Sequence, residues 1–271
     1  MALTTIGLMA LLGCFTGFMA GLLGIGGGMI ITPFLIMLIP SRLIPHDHIV
    51  HVAIATSLAT IAFTSLSSVR AHHKRGAVLW NVVASVAPGI LVGAVVGAQI
   101  AGWLPTFWLS LIFAGFVGFS AFKMFLNKSP RPDRNLPGTM GKFFMGIAIG
   151  ILSALVGAGG GFISVPWMVW CNVKMQNAVA TSAAFGFPIA LFGTIGYIIS
   201  GWNVSGLPPW PIDLGYICIP ALFSVAITSV LFAPLGAKVA HSIDTKPLKK
   251  IFACLLCFVC LYMIRQAYLA M

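Results

Sequence analysis

The chain has 271 residues, 59% of them hydrophobic and only 7% charged, with a mean hydropathy of +1.05. A soluble domain carries roughly 25% charged residues, so this composition excludes one and predicts a polytopic membrane protein. The formal charge of +11 comes from 15 Lys and Arg against 4 Asp and no Glu, gathered into a few loops as membrane topology produces; nucleic acid is therefore no expected partner.

Eight apolar segments are predicted, over 3–39, 49–69, 77–101, 107–126, 143–170, 178–200, 213–234 and 251–270. The first Lys or Arg is Arg42, so the first segment reads as a retained membrane segment and not a cleaved signal peptide. It is interrupted by Gly24-Ile25-Gly26-Gly27-Gly28-Met29-Ile30-Ile31-Thr32-Pro33. A Gly costs about 1 kcal/mol against Ala inside a helix, so three together with a nearby Pro mark an intended break. Next comes His46-Asp47-His48-x-x-His51, which has the residue types of a metal site but lies in a loop, where a surface or interfacial role is expected. Arg70, His72, His73, Lys74 and Arg75 follow the second segment and read as a basic, lipid-facing loop.

The polar linker 127–142 contains Pro130, Pro132, Pro137 and Gly138. Beyond it the pattern returns. Gly157-Ala158-Gly159-Gly160-Gly161-Phe162-Ile163-Ser164-Val165-Pro166 repeats the first break 133 positions on, counted from Gly24 to Gly157. Ala55-Thr56-Ser57 returns as Ala180-Thr181-Ser182 at an offset of 125, and Gly97-Ala98-Gln99 as Gly236-Ala237-Lys238 at 139. The chain is thus a duplication, with repeats over 1–126 and 143–271. Six Cys lie in or beside apolar runs; Cys254-x-x-Cys257-x-x-Cys260 spreads along a helix with no matching ligands elsewhere, and no disulfide framework is expected.

Loop charges set the orientation of the repeats. Cations after segment two, in the linker and before segment eight place those loops in the cytoplasm, while 102–106 and 200–212 have no Lys or Arg and read as outside. Eight simple crossings cannot satisfy this. The conflict disappears if segments one and five each enter and return to the same side, turning at their glycines; Phe143–Val156, 14 residues, is then a half-length arm. The expected fold is an all-α integral membrane bundle of two inverted repeats. Each holds a glycine-broken re-entrant hairpin (3–39 or 143–170) plus three transmembrane helices.

Non-helical backbone at membrane depth is tolerated only where protein or a cavity surrounds it, and inverted repeats with broken helices are the geometry of secondary transporters. Short helices restarting near Met29 and Phe162 present unpartnered amides and positive dipole ends, which suits an anion. The candidate substrate-binding residues are Gly26, Gly27, Gly28, Thr32, Thr56, Ser57, Gly159, Gly160, Gly161, Ser164, Thr181 and Ser182. For Thr32 and Ser164 close helix packing is an equal alternative. Segment interiors hold no clear carboxylate and the chain has no Gly-x4-Gly-Lys-Ser/Thr motif, so no ATP chemistry is expected of it. No cofactor, resident metal or catalytic residue is expected. Partners are a small anion and the lipid bilayer, with association between copies left open. The alternative reading is a divalent-metal transporter using His46–His51.

The two glycine motifs with Pro33 and Pro166, each followed by Ala-Thr-Ser, resemble the TauE/SafE family of membrane transporters over essentially the whole chain. The resemblance implies movement of sulfite, sulfonates or related small organic anions across a cell membrane, the bacterial inner membrane being the expected one.

Overall fold

The computed structural model describes residues 3–24, 27–39, 44–126, 135–202, 204, 214–240 and 246–270, with backbone alone for Leu3, Leu23 and 246–250. Gly26, the first half of the linker (127–134) and the 205–213 segment lie outside them. Among the described residues the regular structure is helical, apart from one isolated bridge between Leu214 and Ile217. Its helices are α1 Leu3–Leu23, α2 Gly28–Leu38, α3 Ile49–His73, α4 Trp80–Trp103 and α5 Thr106–Leu126. The second set is α6 Thr139–Val156, α7 Gly161–Trp170, α8 Met175–Gly201, α9 Ile219–Ala240 and α10 Lys246–Leu269. Eight are long and apolar enough to cross a bilayer, while α2 and α7 are not. Large apolar side chains cover the outer faces, among them Leu11, Trp103, Phe122, Phe144, Leu231 and Leu261. Such a belt would aggregate in water and suits hydrocarbon. The protein is a multi-pass membrane protein.

The two halves interdigitate. Helix α1 packs on α9 and α4 on α6, so each half lends a helix to the other. Glycine stripes make these contacts. Gly13, Gly17 and Gly21 lie in turn against the backbone of Val225, Ser229 and Ala233, so α1 and α9 run parallel. Gly89, Gly93 and Gly97 meet Phe143, Ile147 and Ile151 in the same way, so α4 and α6 are parallel too. A stripe of small residues every fourth position lets two backbones approach within van der Waals range, the main source of helix attraction in lipid. The centre belongs to α3 and α8; 83% of the α3 span is buried, against 33% for α9. These two helices run antiparallel. A Cβ on Gly193 would lie 3.0 Å from Leu58 Cδ1, and one on Gly186 would lie 3.3 Å from Ser65 Cβ.

Each half opens with a hairpin of unequal arms. The ends of α1 and α3 lie together, where His72 Nε2 is 3.2 Å from the Gly21 carbonyl oxygen. The chain then doubles back, so that a Cβ on Gly27 would lie 2.9 Å from the Thr16 carbonyl, and α2 starts beside Ile61 near the middle of α3. In the second half Gly160 likewise folds back onto Ile149 and Ser153. The half-length first arm expected from the sequence is corrected here. Helix α1 has 21 residues and α6 has 18, roughly 32 and 27 Å at 1.5 Å per residue. Polarity misleads at Lys142, because α6 begins at Thr139 behind its N-cap Gly138, whose carbonyl accepts the Lys142 amide at 3.0 Å. A lysine in a first turn keeps its stem along the helix and its ammonium in water.

The basic loop after segment two is also corrected. His72 and His73 belong to the last turn of α3; His72 is fully buried, and His73 Nδ1 accepts the Trp80 indole N–H at 3.1 Å. Arg75 closes this corner by donating to the Ala237 carbonyl at the end of α9.

Candidate substrate site at the glycine turns

Four glycines adopt the left-handed conformation at repeat-equivalent positions: Gly24 (φ 66°) with Gly157 (φ 61°), and Gly27 (φ 74°) with Gly160 (φ 77°). That region costs an L-residue roughly 1–2 kcal/mol, and neighbours fill the space besides. A Cβ on Gly24 would lie 2.6 Å from the Val179 carbonyl oxygen, and one on Gly160 would lie 2.6 Å from Ile189 Cδ1. The turns meet, because Gly28 abuts the Gly157 carbonyl. Gly27 and Gly160 are the N-caps of α2 and α7, and neither end is capped by a side chain. Two uncapped helix N-termini therefore begin near the centre of the bundle.

The matched Thr-Ser pairs tie the halves together reciprocally. Ser57 Oγ donates to the Gly157 carbonyl at 3.1 Å, with Gly28 O at 3.5 Å, while Ser182 Oγ donates to the Gly24 carbonyl at 3.0 Å. Thr56 Oγ1 accepts the Cys218 amide at 2.9 Å, and Thr181 Oγ1 accepts the Leu79 amide at 3.0 Å. Leu79 and Cys218 stand just before α4 and α9, at the repeat offset of 139. All four hydroxyls are fully buried. Each such bond contributes about 1 kcal/mol net, and stranding its buried partner costs roughly 1–3 kcal/mol.

The remaining candidates are distributed around this junction. Ser164 Oγ donates to Ser182 Oγ at 2.8 Å. Thr32 Oγ1 has no hydrogen-bond partner and lies 2.9 Å from where a Gly157 Cβ would stand. Gly28 and Gly161 open α2 and α7, and Gly159 borders a narrow recess with Gly24, Ser65, Ser68 and Gly186. Gly26 lies outside the described residues. Among the described residues no Lys, Arg, Asp or Glu lines the recess, so the field there comes from helix ends and hydroxyl dipoles. Its room, about 10 Å³, is that of a single water, so an oxyanion needs α3 and α8 to part.

Ser65 and Ser68 were not read from the sequence, although they continue the face of α3 that carries Ser57 and Ile61. Their signal is that 3.6-residue spacing alone. His51, expected in a loop, is instead buried in the first turn of α3. Its Nε2 lies 3.0 Å from both the Ala101 and Leu104 carbonyls, which makes that nitrogen the protonated one, and its ring stacks on Tyr216 at 5.2 Å. Burial pushes the Tyr216 phenol above its ordinary pKa and does the same to the Cys218 thiol. His46 and Asp47 are exposed. Among the described residues no three His, Cys, Asp or Glu are placed to hold a metal, Cys254, Cys257 and Cys260 included.

A family model described as sulfite exporter TauE/SafE matches residues 9–263. The chain belongs to this family. A "Probable membrane transporter protein" of Haemophilus influenzae is 34% identical over 261 residues, covering 96% of this chain and 98% of its own. One from Methanocaldococcus jannaschii is 27% identical over 265 residues, covering 95% and 94%. A Bacillus subtilis relative of the same description is 30% identical over 194 residues, covering 69% and 76%. No solved structure matches. The protein is a membrane transporter of the TauE/SafE family, and the matched span takes in both glycine turns and every candidate residue.

Proposed function

We propose that the chain carries a small anion, sulfite or an organosulfonate, across the cell membrane by alternating access of two inverted repeats. The observation that carries this reading is a pair of uncapped helix N-termini, each opening at a left-handed glycine turn, beside a recess that no charged residue lines among the described residues. The antiparallel run of the equivalent helices α3 and α8 supports inversion of the repeats. The family description supports the sulfur-oxyanion class.

In this mechanism the turn amides of Gly27, Gly28, Gly159, Gly160 and Gly161, with the unpartnered Thr32 hydroxyl, receive the anion. Ser57 and Ser182 hold the carbonyls of the opposite turn away from it, Thr56 and Thr181 anchor α9 and α4, and Ser164 steadies Ser182. The α3–α8 contact is where the two access states exchange.

Flux into proteoliposomes tests the reading. Sulfite or taurine uptake should be saturable in the wild type and absent in Gly160→Val. A Gly160→Val protein that inserts and transports normally would remove these turns as the site.

A further inference from the structure

Several buried hydroxyls on these helices donate to a carbonyl one turn back, as Thr60, Thr64 and Ser120 do. Ser68 does not. It is 2% exposed, its Oγ has no partner, and it lines the recess between Gly24 and Gly159, two residues before the α7 N-terminus. A buried donor left unpaired is costly, and a group that forgoes its own helix carbonyl is available to something else in the recess. The feature is one-sided. At the repeat offset of 125, Ser68 corresponds to Gly193 and Ser65 to Ala190, so the second repeat supplies no matching hydroxyls.

Glycine and alanine make up most of the wall of this space, its side-chain hydroxyls are those of Ser65 and Ser68, and no cation lines it among the described residues. Desolvation cost rises with the square of the charge, and with no cation to compensate it a dianion is penalised far more than a monoanion. We propose that the recess selects singly charged sulfur oxyanions and that Ser68 is the donor that orients them; this rests on the anion reading above. A tetrahedral or pyramidal oxyanion would place one oxygen on Ser68 Oγ and another toward the α7 amides.

Calorimetric titration of the purified protein tests both parts, with methanesulfonate as a fixed monoanion, sulfate as a fixed dianion, and sulfite at pH values on either side of its second ionisation. Methanesulfonate is expected to bind at least tenfold tighter than sulfate and without pH dependence. Sulfite is expected to weaken as it becomes doubly charged. A hydrogen bond to a charged group is worth enough that Ser68→Ala should weaken methanesulfonate about tenfold or more, with Ser68→Thr restoring it. Ser110→Ala, which removes another unpartnered buried hydroxyl on α5, should leave binding unchanged. Equal binding of sulfate and methanesulfonate overturns the charge selection, and unchanged binding by Ser68→Ala overturns the orienting role; both leave the anion site standing. A wild type that binds none of the three overturns the anion reading itself.

Discussion

His72 and Tyr197 occupy equivalent positions, 125 apart, and cap equivalent carbonyls: His72 lies on Gly21 at 3.2 Å and Tyr197 on Ala154 at 3.1 Å. Both carbonyls are in the last turn of a helix, where no intrahelical amide reaches them. Unlike side chains thus do one job in the two halves, closing the long arm of each hairpin before the glycine turn. Removing either cap strands a buried carbonyl, at roughly 1–3 kcal/mol. His72→Ala and Tyr197→Phe should each lower the unfolding temperature in detergent, by roughly 2–4 °C per kcal/mol. Unchanged melting in both would mean that these contacts stabilise nothing.

Ser57 and Ser182 should behave as a matched pair. Each positions the glycine turn of the opposite half, so Ser57→Ala and Ser182→Ala should reduce maximal flux to similar extents and cost about 1–3 kcal/mol of stability apiece. Flux and melting of the two variants measured side by side check this. A loss confined to one would break the reciprocity.

The α3–α8 contact offers a reversible lock. Ser65 Cβ lies 3.3 Å from where a Gly186 Cβ would stand, close to disulfide range. In a background lacking the six native Cys, the pair Ser65→Cys with Gly186→Cys should oxidise and stop transport, and reductant should restore it. Full transport by the oxidised form would show that these helices do not separate.

The glycines divide sharply by surroundings. A side chain at Gly93 would run into the Ile147 backbone, whereas nothing lies within 4 Å of a Cβ on Gly115. Gly93→Leu should therefore prevent recovery of a monodisperse protein by size exclusion. Gly115→Ala should be neutral or stabilise by up to about 1 kcal/mol.

Inversion of the repeats is tested by labelling single cysteines in intact cells. Lys174 and Trp202, both exposed, lie at opposite ends of α8. The positive-inside assignment expects Lys174→Cys to be shielded in the cytoplasm and Trp202→Cys to react from outside. The reverse pattern would overturn the proposed orientation.

Much of this protein is written in short stretches of its chain. Hydropathic runs of about 20 residues, the glycine triplets beside Pro33 and Pro166, and the repeated Ala-Thr-Ser are local signals, and they determined the membrane class and the position of the breaks. The candidate hydroxyls of Thr56, Ser57, Thr181 and Ser182 were visible in the same way, as residues present in both halves. Their partners were not. That Ser57 serves Gly157 and Ser182 serves Gly24 depends on the halves interdigitating, and no local pattern specifies that α1 pairs with α9 or α4 with α6. Gly-x3-Gly stripes mark a surface for close approach without naming the surface approached. His72 shows the same division: its neighbours Arg70, Lys74 and Arg75 give a basic loop by composition, yet the ring turns inward because the Gly21 carbonyl, brought beside it by the α1–α2 hairpin, needs a donor. Sequence alone determined what the segments are; tertiary structure decided which buried polar groups meet, since every group cut off from water must find a partner and only the assembled bundle supplies it.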